Sequence, residues 1–268
     1  MQDLLVTDAP GSSSPFDGLA ASYDRTFSDS VLGKLLRGRV WRQLDAAFQA
    51  GHRVLDLGCG TGEDAVHLAA RGVHVVATDS SPEMTARTRE KVVEASLSDL
   101  VKVHTLPVEA VGAVLENERF DGILSNFGVL NCVGDLRSLA EQLGSLVRPQ
   151  GRAFLCVMGP VVPWEWGWYL LEGDFRKAFR RLRPGGAEWR GMRVRYPTVG
   201  DVTRAFEPAF DAVSARALGA LLPPSYAESW ARQHPEMTER LAELEERFEA
   251  VPPLAWLADH YLLELVRR

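Results

Sequence analysis

The eleven residues Val54-Leu55-Asp56-Leu57-Gly58-Cys59-Gly60-Thr61-Gly62-Glu63-Asp64 constrain this chain more than any others. A short run with strand character, Arg53–Leu57, stops at three glycines spaced two apart. Helical periodicity then starts at Glu63 and runs to Arg71, closed by Gly72. A strand that turns through glycines into a helix leaves main-chain atoms unshielded by any Cβ, so a ligand can approach the backbone there.

The alternation continues downstream. Strands are expected at His74–Thr78, Val101–Leu106, Gly122–Ser125 and Ala153–Met158, with helices at Glu83–Ser96 and Leu136–Leu146. An amphipathic helix over Val31–Phe48 precedes them. The expected fold class is α/β: a Rossmann-like, doubly wound, mostly parallel sheet with an antiparallel final strand. An N-terminal helical segment and helical/β lid insertions complete it. Residues 1–15 read as a leader rich in Ser, Pro and Gly, and 16–159 as the cofactor-binding core with its N-terminal helical segment. Residues 160–196 read as a lid insertion after strand five, ending in a strand at Met192–Tyr196. The rest of the core is 197–268, with helix Val199–Phe206, strands Ala212–Ala217 and His260–Val266, and a helical insertion at 225–250.

Charge and composition exclude several classes. Lys and Arg total 30 against 36 acids, a formal charge of −6, which argues against a nucleic-acid partner. The longest apolar stretch, Ala153 to Trp164, is 12 residues and broken by Gly159, Pro160 and Pro163, so no transmembrane segment is expected. The first ten residues hold two acids and no base, unlike a secretory signal. Cys59, Cys132 and Cys156 form neither a disulfide framework nor a metal pair, and no metal site is expected. These features suit a cytoplasmic location.

Asp79 ends the second strand 21 residues after Gly58, where a carboxylate meets the two hydroxyls of a ribose. The cofactor class then follows from charge. The dinucleotide fingerprint is G-x-G-x-x-G, but here the glycines read G-x-G-x-G, and Glu63 replaces the third. Asp56, Glu63 and Asp64 would repel a pyrophosphate, at roughly 1 kcal/mol or more for each close pair. They would attract a sulfonium and an ammonium group. S-adenosylmethionine suits this charge; NAD does not.

Val54–Asp64 is similar to motif I of the class I S-adenosylmethionine-dependent methyltransferases, small-molecule type, and Val75–Met84 resembles their second motif. Phe120–Phe127 resembles their fourth-strand motif. Leu146–Arg152 is similar to the turn into strand five, with Gln150 where a second glycine is common. Phe16–Asp24, which includes Tyr23, resembles the N-terminal segment that closes over the cofactor. The resemblance implies that Asp56, Gly58 and Gly60 line the methionine part, with Gly62 at the helix start and Tyr23 beside them. It implies that Asp79 takes the ribose and Ser80 lies beside the adenine. Main-chain groups at Ser125 and Asn126 would meet the ammonium end. Pro107 stands where the family often has an acid against the adenine amine, which leaves the Val108 backbone, or Glu109 two positions later, for that contact.

The implied reaction is in-line methyl transfer, S-adenosylhomocysteine being the product, to a small-molecule acceptor of anionic or lipid-like character. Tyr23, Asn126, Asn131 and Tyr196 are the catalytic candidates. Trp164 and Trp168 lie in a Trp-rich run that reads as packing, as an apolar lid, or as peripheral membrane contact. Nine Lys or Arg stand against five acids between 160 and 204, so Arg193 and Arg195, with Tyr226, are the candidates for an anionic acceptor. Cys59, His67 and His74 read as packing or surface residues. Two other functions fit the same pocket: non-methylating chemistry such as rearrangement or cyclisation, and cofactor binding by a non-catalytic regulator. Neither the methylated atom nor the oligomeric state follows from the sequence.

Overall fold

The computed structural model describes residues 14–268, apart from the Tyr226 side chain, so most of the expected leader and one lid candidate lie outside it. Nine strands are described: β1 (Arg53–Leu57), β2 (His74–Asp79), β3 (Val101–Thr105), β4 (Phe120–Ser125), β5 (Val147–Met158), β6 (Ala187–Trp189), β7 (Met192–Val194), β8 (Phe210–Leu218) and β9 (His260–Arg267). Seven form one sheet in the order β3-β2-β1-β4-β5-β9-β8, and β6 and β7 form a separate hairpin. β1 pairs in parallel with β2 and β4, and β2 with β3 and β4 with β5 likewise. β9 runs antiparallel between β5 and β8.

The helices of eight residues or more are α1 (Val31–Ala47), α2 (Glu63–Ala70), α3 (Pro82–Glu94), α4 (Leu136–Leu146), α5 (Pro163–Leu171), α6 (Val199–Phe206) and α7 (Pro235–Phe248). Their starts are set by side chains that satisfy orphan backbone N–H groups. Ser30 accepts from Gly33 N, Ser81 from Met84 N and Asp135 from Ser138 N, while Thr198 and Asp201 form a reciprocal capping box. One face of the sheet packs Leu55, Leu57 and Ile123 against Leu139 and Leu143 of α4 and Val202 and Phe206 of α6. The other packs Val54, Val75 and Phe154 against Leu36, Val40 and Leu44 of α1, Ala65 and Leu68 of α2, and Ala242 of α7. Both faces are therefore covered, as a parallel sheet requires.

β5 begins at Val147, six residues before the apolar run, because the irregular pairing of Phe120 with Val147 and Gly122 with Arg152 recruits the turn. Within it Gln150 adopts φ +66°, the left-handed conformation that a glycine takes at no steric cost. β7 ends at Val194, short of Tyr196, because the Arg195 N–H leaves the hairpin and donates to Asn131 O at 2.7 Å. The hairpin turns at Arg190 and Gly191, both at positive φ (49° and 78°), as a two-residue turn needs.

Candidate active site

The chain order reverses at β1, which has β2 on one side and β4 on the other, and the loops leaving β1 and β4 diverge there to open a crevice. Gly58 belongs to the first loop, at φ +69°, and a Cβ on it would meet Val129 Cγ2 at 2.2 Å. Gly60, at φ +55°, has nothing within 4 Å of its ideal Cβ, so its exposed backbone faces open space. Both line the crevice with Tyr23, Asp79, Asn126 and Phe127. Asp79 is fixed by two backbone donors, Gly60 N at 2.9 Å and Ser81 N at 2.8 Å. Burial nevertheless raises its pKa above the ordinary carboxylate value.

A charged network forms the base. Asp64 Oδ2 accepts from Arg37 Nη1 at 2.6 Å and from Asn126 Nδ2 at 3.0 Å, and its Oδ1 accepts from the Trp41 indole at 2.7 Å. The Arg37 guanidinium lies 4.8 Å from the centre of the Phe127 ring, which meets Phe27 edge-on at 4.9 Å. Phe127 holds φ +49° just before Gly128 at φ +99°. Such a conformation is uncommon for an aromatic residue and is characteristic of strained functional turns. Arg37 Nε and Asp56 Oδ2 are among the eight buried side-chain atoms of the described residues that have no hydrogen-bond partner. Asp56 is driven well above the usual carboxylate range, first by burial and then by Asp64. Arg37 thus keeps one donor free beyond its pair with Asp64, and Asp56 keeps one oxygen free.

The electrostatics of the mouth differ from the expectation drawn from the sequence. Glu63 is paired with Lys91 at 2.5 Å, and Asp64 with Arg37, so neither presents an uncompensated charge. Lys91 also pairs with Asp24 at 2.6 Å, and Thr61 donates to Asp24 at 2.5 Å, which ties the N-terminal segment to the glycine loop. Among the described residues, the acids that line the crevice outside these ion pairs are Asp79 and Glu109, and Asp56 is buried beneath the loop with one oxygen unpartnered.

Residues 54–151 match the family model described as a methyltransferase domain. The chain is 33% identical over 160 residues to a demethylmenaquinone methyltransferase of Clavibacter sepedonicus, a match over 59% of this chain and 63% of that protein. It is 32% identical over 140 residues to a tRNA 5-carboxymethoxyuridine methyltransferase of Escherichia coli K12, over 51% and 53%. The chain thus matches less than two thirds of the length of these relatives. Its fold is similar to that of a putative S-adenosylmethionine dependent methyltransferase from Listeria monocytogenes, with a TM-score of 0.60, 17% identity, and 85% and 96% of the two chains covered.

Within the matched residues, Asp79, Ser80, Val108 and Glu109 line the crevice together with Met84, Leu106 and Pro107. Gly58, Gly60, Tyr23 and Asn126 line it too, shared with a smaller recess that reaches Arg37 and Asp64. Ser125 is buried and donates to Leu57 O at 3.3 Å, while Gly62, at φ +84°, caps α2 against Thr88. Val129, Cys132, Val133 and Met192 add an apolar wall to the same crevice. Asn131 is fully engaged: its amide donates to Met158 O and Arg195 O and accepts from Met158 N. Tyr196 packs under Arg181, 5.3 Å from its ring centre. The Trp164 indole donates to Leu221 O at 2.9 Å, the Trp168 indole to Glu172 at 2.9 Å, and Arg195 Nη1 to Val133 O at 3.3 Å. Arg193 is exposed on β7.

Sequence reasoning missed Arg37. The signal was present, since Gly33, Arg37, Val40 and Leu44 share one helical stripe and a cation there must be buried with a purpose.

Proposed function

We propose that this protein transfers the methyl group of S-adenosylmethionine to a small, lipophilic acceptor held at the apolar wall of the crevice. The observation that carries the reading is one crevice lined by the glycine loop, Asp79 and Tyr23, with an adjoining recess that reaches Arg37, whose Nε has no hydrogen-bond partner. Asp79 would hold the ribose hydroxyls, Asp56 the ammonium group, Arg37 the carboxylate, and Leu106 to Glu109 the adenine. S-adenosylmethionine supplies an already activated methyl group when bound. The chain's part is therefore alignment and exclusion of water. Val129, Cys132, Val133 and Met192 provide a dry wall where the acceptor would lie. Tyr23 lines both recesses, and burial raises its pKa, so it stays a phenol that donates a hydrogen bond and orients a polar atom of the acceptor. The demethylmenaquinone relative acts on an acceptor of this apolar kind, as its name states.

Calorimetric titration with S-adenosylmethionine, S-adenosylhomocysteine and NAD tests the cofactor reading. Binding of the two sulfur nucleosides but not NAD is expected. Asp79→Ala should weaken it by about 3 kcal/mol through loss of two charge-assisted hydrogen bonds. Radiomethyl transfer into an organic-extractable product then tests the acceptor class. Label appearing only in water-soluble products would reject a lipophilic acceptor.

A further inference from the structure

The crevice leaves the outer edge of the 160–196 segment without a role. Leu171 and Phe175 flank the turn at 172–174 that joins α5 to the helical turn Phe175–Ala178, and they are 92% and 65% exposed. Phe179, Leu182 and Trp189 follow, all of them exposed. Between residues 170 and 193 seven Lys or Arg stand against three acids, in a chain whose net charge is −6. Two of those acids are engaged locally. Asp174 accepts from Lys177 N at 2.9 Å and pairs with its Nζ at 3.3 Å, and Glu172 accepts from the Trp168 indole. The ion pairs of the segment use Lys177, Arg180 and Arg181. Among the described residues Arg176, Arg183, Arg190 and Arg193 have no carboxylate partner.

The β6–β7 hairpin of the same segment is also a wall of the crevice. Met192 lines the crevice, the Trp189 ring packs 5.3 Å from that of Phe16, and Arg190 Nη1 donates to Pro15 O at 3.1 Å. Exposed aliphatic and aromatic side chains interleaved with unpaired arginines are what an anionic lipid surface recognises. The apolar groups enter the headgroup layer and the guanidinium groups meet lipid phosphates. A nucleic acid would use the arginines but leave Leu171 and Phe175 in water.

We propose that the tip formed by Leu171, Phe175 and the neighbouring arginines docks on an anionic lipid bilayer, so that a lipophilic acceptor passes from the membrane into the crevice beside Met192. The proposal rests on the lipophilic-acceptor reading above. The test is co-sedimentation of the full chain with vesicles of phosphatidylcholine alone or of phosphatidylcholine with one third phosphatidylglycerol. Retention should be roughly tenfold stronger on the anionic vesicles. It should fall by a similar factor in the double variants Leu171→Ser with Phe175→Ser and Arg176→Glu with Arg183→Glu. All four side chains are exposed, so both variants should keep wild-type melting temperature and S-adenosylhomocysteine binding. Equal recovery in the supernatant with both vesicle types overturns the proposal. So does anionic-vesicle binding unchanged by the Leu171 and Phe175 substitutions, or binding of bulk tRNA in place of vesicles. Nucleoside binding without vesicle binding removes the docking surface alone, whereas vesicle binding without nucleoside binding faults the cofactor reading.

Discussion

Arg37 holds one buried carboxylate, Asp64, and keeps its Nε without a hydrogen-bond partner. Asp64 is itself buried, so Arg37→Met would strand its charge with only Trp41 and Asn126 as donors. Removing one partner of a buried pair costs about 3–5 kcal/mol. We expect a clear fall in thermal midpoint together with weakened S-adenosylmethionine binding. Unchanged binding in a folded Arg37→Met variant would show that the guanidinium serves stability only. Asp79 and the glycines were legible in the sequence because local backbone geometry and one fixed spacing specify them. The role of Arg37 was not, since it depends on how α1 crosses the loops after β1 and β4. The mouth charge was misjudged for the same reason: Lys91 lies 28 residues beyond Glu63, and only the packing of α3 beside α2 brings them together.

Among the elements, α5 is anchored by a buried ionic cluster rather than by its tryptophans alone. Arg181 meets Glu165 at 2.7 Å and Asp259 at 2.5 Å, and it also donates to Gly159 O and Asp259 O. Arg180 adds a contact to Glu165 at 3.1 Å, and His260 lies 2.9 Å from Asp259. Arg181→Met leaves two buried carboxylates facing each other, so a loss of about 3–5 kcal/mol is expected. For a chain of this size that lowers the melting temperature by roughly 10 °C. If instead the midpoint moves by less than a degree or two, the cluster does not anchor the helix. The strand and helix periods of the core were readable because apolar alternation and capping residues agree there. The segment 160–196 resisted, since its helices are short, its turns depend on Gly173 and Gly191 at positive φ, and its fixing charges pair across distant segments.

For the whole molecule, acid sensitivity divides into two opposing groups. Asp24 is depressed below the ordinary carboxylate value by Lys91 and Thr61 despite burial, Glu118 by Arg53, and Asp259 by Arg181 and His260 against strong burial. A depressed folded-state pKa gives stability that is present above the unfolded value, near 4, and is lost as pH falls below it. Asp56 and Asp79 have the opposite sign. Their folded-state values are raised chiefly by burial, so the empty protein gains from protonating them while ligand binding needs them ionised. Without ligand the melting temperature should therefore rise as the pH falls from 7 towards 4, as the two raised carboxylates protonate, and drop below pH 4. The stabilisation by S-adenosylhomocysteine should shrink over the same interval, before that drop. A ligand effect that does not vary over that interval would mean that neither carboxylate changes charge on binding.

The place of β9 bears on how such a chain is made. Residues 260–267 are the last of the described strands in chain order, yet they fill the interior of the sheet between β5 and β8. Until they emerge, β5 has an unpaired edge and β8 has no neighbour to join. The glycine loop and its crevice, built from β1, β2 and β4, are synthesised long before the sheet that supports them can close. Pairings this distant in sequence form slowly, and an open hydrophobic edge invites association between nascent chains. Translation speed between β5 and β9, and chaperone access during that interval, should therefore govern the yield of native protein more than any residue of the pocket does.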